Sequence, residues 1–408
     1  MKDTNTVVVI GCGPAGLMAA TVLSEAGLPV DIFDTKGSAG RKFLVAGRGG
    51  LNLTHSEDSD LFAARYGNHA ELFRKLLGVF SPEDLRSWLR SLGVETFVGT
   101  SGRVFPKDAT ASDILKIWLE TLSRRGVVFH FRHRWQGFTK TGNPLFLAEG
   151  GECREVPADA VLLALGGASW PQTGSDGSWT EFLAAKDIRI TPFRPANCGV
   201  EVAWSEHFRS RFSGKPLKNL HLRCGDHQAA GDVMITEHGL EGGPIYTLSA
   251  IIRDRLAEHN PVSLIVDLKR DLPLERIQEK LAQRRTKESV ANFLRKNLRL
   301  SGPSYSLLRE ICSEEDFKDP LILASRIKKL SIPITNTRPL TEAISSAGGI
   351  AFQEVSEDLM LHKLPGVFVA GEMLDWEAPT GGYLLQGAFT TGYRAAQGIL
   401  NRLKHRRS

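Results

Sequence analysis

Gly11, Gly13 and Gly16 stand in the order Gly-x-Gly-x-x-Gly directly after Val7-Val8-Val9-Ile10. A run of β-branched residues is what a strand buried on both faces requires. A glycine turn at the end of such a strand can cradle a diphosphate. Gly11 permits the tight turn, Gly13 lets the backbone approach the phosphates, and Gly16 lets the next helix pack close to the strand. That helix, expected over residues 17–26, aims its N-terminal N–H groups at the anion. A second strand from Leu28 ends at Asp34, 23 positions after Gly11. This is close to the ~20 at which an acid takes ribose hydroxyls, and an acid there argues against a 2′-phosphate.

The end of the chain carries the other half of a dinucleotide site. Val367-Phe368-Val369-Ala370 runs into Gly371-Glu372, followed by Asp375 and by Gly381-Gly382-Tyr383 before a helix expected over 384–404. A first dinucleotide turn combined with a late strand ending in Gly-Glu points to FAD rather than to a nicotinamide dinucleotide alone. The isoalloxazine needs donors at its O2/N1 edge, and a helix N-terminus supplies them with a partial positive charge. Such a field stabilises the anionic reduced flavin and favours hydride acceptance. Glu372 and Asp375 read either as ribityl or phosphate-bridging contacts or as caps of the last helix. No second Gly-x-Gly-x-x-Gly follows a strand, so NAD(P)H is expected only as a transient electron donor without a domain of its own.

These residues need a scaffold. With 408 residues, 42% of them hydrophobic, the chain is long enough for two or more domains. Strands and helices alternate up to about Gly167, which predicts an α/β sheet. A helical stretch is expected from about Ala70 to Leu92, with the capping signal Ser81-Pro82-Glu83-Asp84 inside it. From about Pro192 to Leu264 the pattern changes to short strand-like segments. Residues 273–300 are helical and basic, with Arg276, Lys280, Arg284, Arg285, Lys287, Arg295, Lys296 and Arg299. Interleaved Glu275 and Glu279 and the lack of aromatic interleaving that would support base stacking favour a solvated helix face over a nucleic-acid surface. The return of strand and glycine loop at 364–382 makes the dinucleotide domain discontinuous, with the middle of the chain inserted.

Composition excludes several classes. No apolar run reaches the ~18 residues of a membrane helix, and no signal-like apolar segment precedes a cleavage site. The five cysteines are scattered and never spaced CxxC. This argues for a reducing cytoplasm and against a disulfide framework, a metal site or a dithiol redox centre. A net charge of +5 permits acidic partners without requiring any.

Taken together, the first glycine turn, Gly47-Arg48-Gly49-Gly50-Leu51-Asn52-Leu53-Thr54, Gly102-Arg103-Val104-Phe105-Pro106, Ala164-Leu165-Gly166-Gly167, Gly174-Ser175-Asp176-Gly177, Gly239-Leu240-x-Gly242-Gly243-Pro244 and Gly371-Glu372…Gly381-Gly382-Tyr383-x-x-Gln386 resemble the BaiN-type bacterial flavoproteins, also called the aminoacetone oxidase family of FAD-binding enzymes. The resemblance covers nearly the whole chain. It implies an α/β fold in three parts: a discontinuous Rossmann-like FAD domain (1–191 with 335–408), an inserted mainly β, β-barrel-like domain (192–265 with 312–334), and a nested helical domain (266–311). It places Gly11, Gly13, Pro14, Ala15 and Gly16 on the diphosphate, with Asp34 and Thr35 at the adenosine ribose. Arg41, Lys42, Arg48, Asn52 and Leu53 would lie along the diphosphate and flavin. Trp135 would meet the adenine by its backbone, with Ala164 and Gly166 near the adenosine half. Gly371, Glu372, Gly382, Tyr383 and Gln386 would cover the ribityl chain and ring. Leu51, Leu165 and Leu384 depart from the family's usual Cys, Thr and Asn, which removes thiol chemistry at 51 and a polar contact at 384.

The activity implied is an FAD-dependent oxidoreductase acting on a small organic substrate, with hydride passing through flavin N5 and NAD(P)H as reductant. An amine oxidase using oxygen stays open, as does a flavoprotein that binds RNA or a protein partner through its basic insert. Arg48 is a candidate for stabilising negative charge. Tyr383, His55 and Tyr246 are candidate proton donors. The sequence carries no signal of oligomeric state.

Overall fold

The computed structural model describes residues 6–406. Val7–Ile10 (β1) is fully buried, as its β-branched run requires. Pro14–Glu25 forms α1, Val30–Asp34 β2, Ala111–Arg124 α2, Val128–Phe131 β3, Ala160–Leu163 β4, Val367–Val369 β5 and Tyr383–His405 α3. The five strands make one sheet in the order β5-β4-β1-β2-β3, paired in parallel throughout. Central β1 is in register with both neighbours, Val9 facing Leu162 on one side and Ile32 on the other. Strands 367–369 and 7–10 belong to one sheet, so both ends of the chain build the same α/β fold.

Local chemistry sets the helices. Thr110 and Asp113 form a reciprocal capping box at the start of α2, which satisfies two otherwise free N–H groups. On its buried face, Trp118 donates from Nε1 to Thr21 Oγ1 of α1 at 2.8 Å. The stretch expected to be helical over 70–92 is two helices, Ala70–Val79 and Pro82–Ser91. The capping box of Ser81 and Asp84 starts a new helix there, and Pro82 cannot donate to the preceding turn.

The chain divides into two compact units, Met1–Arg194 with Ser345–Ser408, and Pro195–Ile344. The second contains a seven-stranded sheet whose ladders are all antiparallel. Its outermost strands, Leu330–Ile334 and Asn336–Thr337, are joined through Thr335 alone, so the sheet curls on itself. Three expectations need correction. Residues 335–344 go with the inserted unit: Asn336 and Thr337 pair with Glu201 and Val200, and Arg338 bonds Glu201 at 2.8 Å. Gly243–Glu258 is a 16-residue helix within the part read as β. Segment 266–311 has no core of its own: Ile277, Leu281, Leu298 and Leu307 share one buried cluster with Leu222 and Leu264. Helices with a single apolar face need another element to cover it, and the curled sheet does so. Among the described residues no helix is long and apolar enough to cross a membrane.

Helix α3 lies against α1 at backbone distance. A Cβ at Gly392 would stand 2.2 Å from the carbonyl oxygen of Ala15, whereas one at Gly13 would have nothing within 4 Å. Gly392→Ala should therefore destabilise the protein by about 1–3 kcal/mol through overpacking. Gly13→Ala, at φ −90, should leave the apoprotein's melting temperature unchanged or slightly higher. Thermal unfolding of the two variants side by side checks this contrast; equal losses would refute it.

Candidate functional site

The three glycines divide the work of the first turn. Gly11 sits at φ +108, and a Cβ there would meet the Ala164 carbonyl oxygen at 2.2 Å; one at Gly16 would meet the Gly11 carbonyl oxygen at 2.0 Å. These two positions are closed by packing. Gly13 alone faces open space, at the start of α1, where the first N–H groups have no intrahelical partner. Leu17 is the first to bond back, to the Gly13 carbonyl. The turn therefore presents an uncovered stretch of backbone and a helix N-terminus, the arrangement that holds a diphosphate.

Asp34 lies at the end of β2, with Thr35 exposed beside it. The Asp34 carboxylate accepts from Cys12 N at 2.7 Å and Lys36 N at 2.8 Å. Burial nevertheless raises its pKa above the usual 3.8, against the lowering effect of those N–H groups, Lys36 and Arg41. Burial, with Asp34 nearby, also pushes the Cys12 thiol well up, so this cysteine is an inert packing group.

Arg41 and Arg48 are exposed, on the short helix Arg41–Ala46 and the turn Gly47–Gly49. Lys42 is already engaged: its Nζ lies 2.9 Å from Glu372 Oε2 and 2.9 Å from Ser169 Oγ. Glu372 accepts in turn from Ser346 N at 2.9 Å. This link joins the first loop to the segment after β5, and Glu372 does not cap α3, whose cap is Gly382. Asp375 accepts from Thr191 Oγ1 at 2.6 Å and is likewise no cap. Gly371 uses both backbone groups internally, its N–H to Thr391 and its carbonyl to Trp376 Nε1, each at 2.9 Å.

At the other end, Gly382 caps α3 at φ +99, and a Cβ there would fall 2.5 Å from the Thr54 carbonyl. Loop 47–54 thus meets the start of the last helix. Within it Leu51 and Leu53 are buried in the core. Leu53 spends its N–H on the Val104 carbonyl, so neither its side chain nor its amide is available to a cofactor. Asn52 is partly buried and Thr54 fully buried beside them. Of the five buried side-chain atoms without a partner among the described residues, four belong to Asn52, Thr54, Trp135 and Gln386. Buried polar atoms without partners are rare in folded proteins. Their concentration on segments assigned to one long polar cofactor fits FAD. Thr54 is not among the expected site residues, although it closes the motif Gly47–Thr54 that carries Asn52.

Other expected contacts are modified. Gln386 is fully buried, and its amide donates to the Phe80 carbonyl and to Thr390 Oγ1, both at 3.1 Å. Its side chain seats α3 on the 80s turn and leaves only Oε1 uncommitted. The Trp135 ring packs against Phe138 and Phe182 in the ladder of His133–Phe138 with Pro144–Ala148, whose register breaks after Trp135. Ala164 donates to the Ile10 carbonyl, and the Gly166 carbonyl accepts from Trp179 Nε1 at 2.8 Å.

Two catalytic candidates are tied up. His55 Nδ1 accepts from Glu57 N at 3.1 Å while Nε2 faces the Ser101 carbonyl at 2.9 Å. This assigns the proton to Nε2, and both nitrogens serve the backbone. The Tyr383 ring stacks on His55 at 5.4 Å. Burial, then the Glu57 carboxylate bonded to its hydroxyl, push the Tyr383 pKa strongly upward. Glu57 in turn grips Arg65 through 3.1 and 2.7 Å bonds. Tyr246 belongs to the other unit, where burial and Glu241 push its hydroxyl up to about 12. Of Arg48, His55, Tyr246 and Tyr383, only Arg48 keeps a side chain without a hydrogen-bond or ionic partner among the described residues.

Tyr383→Phe should accordingly lower stability by about 1 kcal/mol, the worth of a buried hydrogen bond, and leave turnover within about threefold of the parent. A fall of ~100-fold or more, the size of a general-acid contribution, would restore the catalytic role.

Comparison with known proteins agrees with this geometry. Residues 5–398 match the family described as HI0933-like protein Rossmann domain. A 3-dehydro-bile acid delta(4,6)-reductase of Clostridium scindens is 26% identical over 98% of this chain and 100% of its own length. A ribosomal RNA dihydrouridine synthase of Escherichia coli is 22% identical over 96% of this chain and 97% of its own. Among solved structures, a 3-ketosteroid-delta4-(5alpha)-dehydrogenase of Rhodococcus jostii aligns with a TM-score of 0.53 at 17% identity, covering 96% of each chain, which is a likeness of fold. The resemblance read from the motifs therefore stands: the chain belongs to the HI0933-like Rossmann family of flavin-dependent oxidoreductases.

Proposed function

We propose that the protein binds FAD across its two sequence halves and reduces an activated C=C bond, with NAD(P)H as electron donor. The observation that carries the cofactor assignment is the set of orphaned polar atoms on Asn52, Thr54, Trp135 and Gln386, in a fold whose first turn leaves Gly13 uncovered. The names of the two curated relatives, a delta(4,6)-reductase and a dihydrouridine synthase, both describe addition of hydrogen across a double bond. This favours a reductase over an amine oxidase.

FAD, when bound, supplies a centre that accepts and donates hydride. The chain's part is binding, orientation and field. The N-terminus of α1 and the bare Gly13 backbone would hold the diphosphate, with Arg41 and Arg48 as the nearby exposed cations. Asp34 would accept from the ribose. The first turn of α3 would direct N–H groups and partial positive charge at the ring edge that becomes negative on reduction. Asn52 and Thr54 offer polar atoms already stripped of water, so pairing them costs no further desolvation.

Purified protein should be yellow and release FAD on denaturation. Mixed under argon with NADH or NADPH, its flavin should bleach within the turnover time and reoxidise on addition of a conjugated enone. Bleaching by a small amine and not by either nicotinamide would overturn the reductase reading. An RNA containing unmodified uridine belongs in the same substrate panel.

Asp34 gives the binding a pH signature. Its folded pKa is raised, so its contribution to apoprotein stability is full below the unfolded carboxyl value of about 3.9 and is lost as pH rises through the folded value. Ribose binding asks for the ionised form, so FAD affinity should fall as pH drops through that raised value. Asp34→Asn should weaken FAD about tenfold and flatten this acid limb in a fluorescence titration. An unchanged limb in the variant would remove Asp34 from the ribose.

A further inference from the structure

The basic segment 276–299 finds no use in the site described above. Its last residue, Arg299, borders a cavity of about 200 Å³ in the inserted unit, lined also by Lys218, Lys269, Asp271, Ser301 and Ser304. We propose that this cavity is an anion site for a phosphate group, separate from the FAD site and independent of the reaction assigned to it.

The charge balance comes first. Lys218, Lys269 and Arg299 have no hydrogen-bond or ionic partner for their side chains among the described residues, whereas Arg276 pairs with Glu279, Arg326 with Asp316 and Arg338 with Glu201. The one carboxylate of the lining, Asp271, accepts from Asn219 Nδ2 at 2.5 Å and has Arg270 at 3.8 Å. The cavity is thus lined by three unpaired cations and two hydroxyls against one carboxylate. That is the donor set for an oxyanion, with lysines acting as point charges and Arg299 able to bind two oxygens.

The walls are held in place without a ligand. Lys328 fixes the turn carrying Lys269: its Nζ reaches Asp267 Oδ2 at 2.6 Å and the carbonyls of Lys269 and Leu272 at 3.1 and 2.8 Å. Asn219 is held at the irregularity of strand Pro216–Cys224, its N–H bonded to Asp232 at 2.9 Å. Arg299 follows the π-turn Leu294–Leu298, closed by the bond from Leu300 N to the Leu294 carbonyl. Side chains on such fixed backbone lose less entropy on gripping an ion. A volume of 200 Å³ is below the ~300–1,000 Å³ of pockets that enclose whole ligands, so one phosphate enters and the rest of its carrier stays outside. The carrier is either a polynucleotide backbone or a small phosphate.

The test uses FAD-loaded protein with inorganic phosphate in calorimetry and a fluorescein-labelled 12-nucleotide RNA in anisotropy. Lys218→Gln with Arg299→Gln should weaken phosphate at least tenfold, while Arg285→Gln, in the same basic segment but outside the cavity, should not. The flavin spectrum should be unchanged in all variants, which separates this site from the cofactor assignment and reports that the fold is intact. If RNA binding falls in parallel and its salt slope drops by about 0.7 per lost contact, the phosphate is that of a polynucleotide. If phosphate binding alone falls, it is a small ion or ester. Absence of phosphate binding at low salt, or an equal loss in Arg285→Gln, would overturn the proposal.

Discussion

Everything on the cofactor side depends on how closely two backbones approach. A Cβ at Gly392 would lie 2.2 Å from the Ala15 carbonyl oxygen, and one at Gly371 would lie 3.0 Å from the Ala15 methyl. Residues at the two ends of the chain meet there with no side chain larger than a methyl between them. Were α3 held a side chain's width away from α1, its N-terminus and the Gly371 turn would be displaced together. A site split between sequence ends can be held to tenths of an ångström only by packing of this kind, because a packed interior does not deform continuously.

The Lys42–Glu372 link closes the same split from the other side, but its role is positional. With side chains 30% and 16% exposed, the pair is screened by water, and such pairs contribute little more than ~1 kcal/mol. What it does is specify geometry. Lys42 also bonds Ser169, and Glu372 also bonds Ser346, so four segments are held at one point. The hydrophobic seam supplies the stability, and the charged network selects one arrangement of the loops.

Much of this was legible in the sequence, because the determinants were local. A β-branched run, a glycine turn, a helix and a terminal acid follow one another within 30 residues, and each carries its own steric reason. The parts that were not legible depend on partners distant in sequence. The fate of the Tyr383 hydroxyl rests on Glu57, and that of the Gln386 amide on the Phe80 carbonyl, 306 positions away. His55 looked like a proton donor by residue type; the backbone groups of Glu57 and Ser101 make it a structural histidine. The resemblance implied a separate helical domain for the insert, yet a helix with one apolar face does not reveal which core it joins.

The start of α3 shows why electrostatics and sterics had to be solved together there. The helix is 23 residues long, but its dipole acts through the free N–H groups of the first turn, so length adds little and position decides. Gly382 sets that position. Its φ of +99 lies in the left-handed region, and the Thr54 carbonyl stands 2.5 Å from where a side chain would begin. The same glycine that turns the chain into the helix therefore brings the helix against the loop bearing the unpaired Asn52 and Thr54 atoms. Any side chain at 382 would move the field and the polar loop apart at once. One atom's width at this position thus governs both how a flavin ring would be held and how strongly its reduced form would be favoured.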